Sequence, residues 1–93
     1  MSAPERAHVL IVDDTPENIQ VLMETLRHEY SLAAATSGER ALALATGKKM
    51  PDIILLDVMM PGIDGYETCR RLKADEKTAA IPVLFITAMS QTT

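Results

Sequence analysis

An α/β fold, a doubly wound parallel sheet with helices on both faces, is what this sequence predicts, and three observations predict it. Short, continuous apolar runs alternate with amphipathic stretches along all 93 residues. The runs carry no polar position at every second residue, so each reads as a strand covered on both faces. Strand, helix, strand in succession implies right-handed crossovers between parallel strands. In such a sheet the chemistry sits beyond the carboxyl ends of the strands, where the winding direction reverses.

The first strand is His8-Val9-Leu10-Ile11-Val12, which stops at Asp13-Asp14. Thr15 reads as an N-cap, with Pro16 at the first helical position and Glu17 in the first turn. Ile19, Leu22, Met23 and Leu26 then fall on one face, predicting a helix over 16–28 with Arg27 and His28 in its last turn. Tyr30 to Thr36 is a weaker strand. Its alanines have poor strand propensity, which suits an edge position. Ser37 caps a second helix running to about Thr46, and Gly47 stops it. Asp52-Ile53-Ile54-Leu55-Leu56 is the clearest buried strand, and it too ends on a carboxylate, Asp57.

The loop Val58-Met59-Met60-Pro61-Gly62-Ile63 has turn chemistry. Asp64-Gly65-Tyr66-Glu67 reads as a capping box that opens a third helix. Tyr66, Cys69 and Leu72 are expected on its inner face, with Glu67 and Arg71 paired outside. Pro82-Val83-Leu84-Phe85-Ile86 is a fourth strand, ending on Thr87-Ala88.

Composition narrows the class further. Hydrophobic residues at 47% and charged residues at 24% are ordinary for one globular domain, taken as residues 1–93. No apolar run approaches the roughly 20 residues a membrane span needs, and the first residues lack the apolar core of a signal peptide. A single cysteine, Cys69, makes no internal disulfide, so a cytoplasmic location is expected. The formal charge of −4 argues against direct binding of nucleic acid.

Asp13, Asp14 and Asp57, with Thr87, therefore converge at one sheet edge. Any one such aspartate alone reads as a helix cap, but three on two strand ends do not. At about 5 Å and an effective dielectric near 20, each like-charge pair costs roughly 3 kcal/mol. Protonation, a basic side chain or a divalent cation relieves that cost. Oxygen-only ligands suit Mg²⁺, and a carboxylate beside such an ion can attack phosphorus to give an acyl phosphate. Thr87 would bond the transferred oxygens. His8 and His28 read as a strand start and a dipole partner, Cys69 as a small core residue, and Lys48-Lys49 as a solvated turn.

Three ordered segments make the chain closely similar to the receiver domain of two-component response regulators. They are Val9 to Asp14, Asp52 to Gly65, and Ile81-Pro82-Val83-Leu84-Phe85-Ile86-Thr87-Ala88. The resemblance implies a flavodoxin-like (CheY-like) sheet of order 2-1-3-4. It implies that Asp57 accepts a phosphoryl group from a phosphohistidine of a sensor histidine kinase, which docks near Asn18 and Val21 on the first helix. Asp14 and Asp57 would bind Mg²⁺ with the Met59 carbonyl, Asp13 would hold it through water, and Thr87 would bond the phosphoryl group. The expected role is a signalling phosphoacceptor and not an enzyme.

Against the family pattern, the chain stops after the fourth strand. The last helix, strand and helix are missing, and with them a lysine and an aromatic switch residue. Lys48, Lys49, Lys73 and Lys77 lead into strands, at the far end of the sheet from the acids, and Arg40 lies beside the edge strand. A cut-down form of a longer regulator is expected, which would self-associate through its uncovered sheet face and edge. Two other readings stay open. One is a non-phosphorylatable pseudo-receiver acting as an interaction module; the other is an Mg²⁺-dependent phosphohydrolase, which lacks its Asp-x-Asp-x-Thr pattern here.

Overall fold

Continuous apolar runs become buried parallel strands, as their patterning demands. The computed structural model describes residues 6–86. Strands β1 (His8–Val12), β2 (Ser31–Ala35), β3 (Ile53–Asp57) and β4 (Val83–Ile86) form one parallel sheet in the order β2-β1-β3-β4. Helices α1 (Pro16–Leu26), α2 (Gly38–Ala45) and α3 (Gly65–Ala74) fill the crossovers.

Alternate residues of β1 and β3 go to opposite faces. Leu10, Val12, Ile54 and Leu56 meet Ala41 and Ala45 of α2 and Leu72 of α3 on one side. Val9, Ile11 and Leu55 meet Ile19, Leu22 and Met23 of α1 on the other. The alanine-rich β2 is at the edge, as its composition predicts, and α2 packs over it with small side chains of its own. Register then positions the chemistry. Val12 pairs with Leu56, so Asp13 and Asp57 come level, one step further along adjacent strands.

Four local expectations are corrected. Helix α1 ends at Leu26 and not at 28, so Arg27 caps it and His28 lies outside the last turn. The positive charge at that end arrives from elsewhere: Arg6 Nη1 donates to the Arg27 carbonyl at 3.1 Å. Thr15 occupies the N-cap position of α1 without a side-chain cap bond. At α3, Asp64 Oδ1 accepts from the Glu67 N–H at 2.9 Å, but the Glu67 carboxylate turns to Arg70 (2.6 Å) and Arg71 (2.8 Å) instead of completing a capping box. Tyr66 is not an inner residue. It is 63% exposed and leans on Phe85, ring centroids 5.3 Å apart, while Thr68 is fully buried in its place. The Thr68 hydroxyl donates to the Asp64 carbonyl at 2.7 Å, which satisfies it within the helix and permits full burial of the side chain.

Candidate functional site

Three carboxylates meet beyond the carboxyl ends of β1 and β3. Oxygen atoms of Asp13, Asp14 and Asp57 all lie within 4.8 Å of one another. Asp13 and Asp57 are buried, 3% and 5% exposed, and Asp14 faces solvent. Burial pushes the Asp57 carboxyl above its ordinary pKa, and the negative charge of Asp13 adds to the push; the N–H groups of Met59 and Val58 pull it back, and Asp14 raises it again. Among the described residues Asp57 forms no salt bridge.

The turn after β1 is tied to this cluster by Asp13 itself. Its Oδ1 accepts the Thr15 N–H at 2.9 Å and its Oδ2 accepts Asn18 Nδ2 at 3.2 Å. The Thr15 carbonyl receives the N–H groups of Asn18 and Ile19, at 3.1 and 3.3 Å, and so begins α1. Asp13 therefore does both jobs, starting a helix and lining a site. Sequence reasoning placed Asn18 only on a docking surface and missed this bond. An amide five residues after a strand-ending Asp, in the first turn of the next helix, is the signal that could have found it.

The loop after Asp57 is shaped by two glycines. Gly62 takes φ +78°, the left-handed region that side chains disfavour. At Gly65 the α3 terminus packs directly on strand backbone. Its N–H donates to the Val58 carbonyl at 2.8 Å, and a Cβ there would overlap the Asp57 carbonyl oxygen and Val58 Cα. The Met59 side chain points away, 76% exposed, and only its backbone borders Asp57. Thr87, the fourth predicted member, lies outside the described residues.

The lysines keep to the far end, as expected. Lys73 Nζ donates to the carbonyls of Ala79 (3.0 Å) and Ile81 (2.7 Å) at the start of β4. A groove of about 300 Å³ also opens at that end, lined by Leu10, Leu32, Ala33 and Leu44 with Lys48 and Lys49, remote from the carboxylates. The donor set of the acidic cluster is oxygen-only, carries formal negative charge and forms no salt bridge among the described residues. It fits a hard divalent ion. No described helix is long and apolar enough to cross a membrane.

Comparison with known proteins agrees with this geometry. Residues 9–93 match the model of the response regulator receiver domain. The response regulator PleD of Caulobacter vibrioides is 50% identical over 84 residues, covering 89% of this chain and 18% of PleD. Protein PilH of Pseudomonas aeruginosa is 40% identical over 88 residues, covering 94% of this chain and 72% of PilH. Among solved structures, the N-terminal domain of a response regulator receiver protein from Methanoculleus marisnigri superposes with a TM-score of 0.83 at 42% identity, covering 91% of this chain and 69% of that one. The chemotaxis protein CheY4 of Vibrio cholerae gives 0.83 at 32% identity, covering 95% and 72%. The chain belongs to the response regulator receiver domain family of two-component systems.

Proposed function

We propose that this domain is a phosphoacceptor that takes a phosphoryl group from a histidine kinase onto Asp57 in an Mg²⁺-dependent reaction. The observation that carries this reading is the convergence of Asp13, Asp14 and Asp57 within 4.8 Å at the carboxyl edge of the sheet. Asp57 is the nucleophile: a carboxylate oxygen attacks phosphorus, the phosphorus–nitrogen bond of the phosphohistidine breaks, and its electron pair leaves on the imidazole. Asp14 and Asp57 with the Met59 carbonyl would hold the ion directly, and Asp13 through water. Bound Mg²⁺ supplies positive charge that offsets both the clustered carboxylates and the incoming phosphoryl oxygens. The backbone N–H groups of Val58 and Met59 favour the ionised form of Asp57, the form that attacks. Thr87 would bond the transferred oxygens. The exposed face of α1 at Val21, 59% exposed, is the docking side for the kinase.

Incubation with acetyl phosphate and Mg²⁺ tests this reading. Mass gain of one phosphoryl group, lost in Asp57→Asn or in EDTA, is the expected result. The domain is then a stoichiometric acceptor, and steady release of phosphate from unrelated esters would make it an enzyme instead. One observation favours a second reading, the interaction module: Asp57 forms no salt bridge among the described residues. Under that reading Mg²⁺ binds and no mass is gained. Self-association is proposed at the β4 edge, where Leu84 and Phe85 are 55% and 39% exposed. A monomer in sedimentation at every concentration would overturn it.

A further inference from the structure

We infer that Asn18 is a positioning residue for the ion site, its side-chain amide holding the Asp13 carboxylate in the orientation the site uses. This rests on the receiver reading above and adds to it a residue outside the carboxylate cluster. Asp13 is almost completely buried, and each of its oxygens accepts one neutral donor, Thr15 N–H on Oδ1 at 2.9 Å and Asn18 Nδ2 on Oδ2 at 3.2 Å. A carboxylate only accepts, so the Asn18 amide must present its NH₂ group to it. One lone-pair direction on each oxygen is then occupied, and one on each would remain to accept from water.

The two donors act on opposite ends of the carboxylate, so the group cannot rotate about its Cβ–Cγ bond without breaking both bonds. Thr15 donates through backbone at the turn. Asn18 donates from the first turn of α1, where its own N–H is tied to the Thr15 carbonyl at 3.1 Å. Both donors are neutral, which matters. A lysine or arginine at position 18 would orient Asp13 equally well but would cancel the charge that draws a cation in. The Asn18 amide fixes direction and leaves the negative field of Asp13, Asp14 and Asp57 intact. The helix start already has the Thr15 carbonyl, which receives the Asn18 and Ile19 N–H groups, and the Thr15 N–H on Asp13; the Asn18 side-chain amide adds a bond to the carboxylate alone.

Outer-shell partners of this kind are worth about 10-fold or more in metal affinity. The test is Mg²⁺ titration of the folded 93-residue chain, followed by the amide resonances of Asp57 and Val58, for wild type, Asn18→Ala and Asn18→Ser. Serine suits a helix start, and its hydroxyl stops one bond short of Asp13, so this variant keeps the measurement available if alanine unfolds the domain. Both folded variants are expected to bind Mg²⁺ roughly 10-fold more weakly than wild type. A role confined to helix stability would lower the melting temperature and leave the affinity of the folded protein unchanged, and that result overturns the inference. If wild type binds Mg²⁺ and the variants match it, Asn18 alone is refuted. Failure of wild type to bind Mg²⁺ refutes the receiver reading together with this one.

Discussion

Asp57 sits where a carboxylate is least comfortable, buried at a strand end with Asp13 level on the neighbouring strand. Its pKa is raised, by burial first and then by Asp13. Replacing it with asparagine removes the repulsion and keeps the shape. In EDTA near neutral pH, Asp57→Asn is expected to be more stable than wild type by about 1 kcal/mol, roughly 5 °C in melting temperature for a domain this size. Calorimetry checks this, and an equal or lower midpoint would mean that the three charges are not in tension. Glu67 shows the reverse case. Hydrogen bonds from Arg70 and Arg71 hold its pKa down to about 2. Its help to the fold is present above the unfolded carboxylate range and fades as pH falls through about 2, but the cluster is solvent-exposed and contributes little.

At the scale of elements, the start of α3 carries the strictest demands. Gly65 has no room for a side chain because the helix terminus presses on the Asp57 carbonyl. Gly65→Ala is expected to cost about 1–3 kcal/mol in urea unfolding and to shift the Asp57 and Val58 amide resonances. Asp64→Ala, which removes the cap on the Glu67 N–H, is expected to cost about 1 kcal/mol and leave those resonances in place. Equal effects from the two would show that α3 does not bear on the site. The cap was legible in the Asp-x-x-Glu pattern, and the edge position of β2 in its alanines. The inner face of α3 was not. Periodicity counts Tyr66 as apolar and Thr68 as polar, yet the Thr68 hydroxyl is spent within the helix and Tyr66 finds Phe85 at the surface.

For the whole molecule, the raised pKa of Asp57 sets how stability responds to pH. The native carboxyl keeps its proton to a higher pH than the unfolded one. The resulting stability is complete below the unfolded value and is lost as pH rises through the native one. Mg²⁺ acts in the opposite sense, because it binds the ionised cluster. At ten times its dissociation constant the ion should add about 1.4 kcal/mol near neutral pH. That increment should shrink as pH falls and Asp57, whose pKa is raised by burial and by Asp13, takes up its proton, which melting curves with and without Mg²⁺ will show. An increment that persists in acid would point to binding elsewhere.

Local chemistry was enough to read the order of elements, the two-sided burial of β1 and β3 and the presence of acids at their ends, because each is written in runs of a few adjacent residues. Contacts between segments were settled by packing alone. Among these are the level register of Asp13 with Asp57 and the guanidinium of Arg6 closing the far end of α1. A hydrogen bond across 21 residues leaves no trace in periodicity, since either partner alone reads as an ordinary surface group. Only the sheet and its crossovers bring such groups within reach of one another.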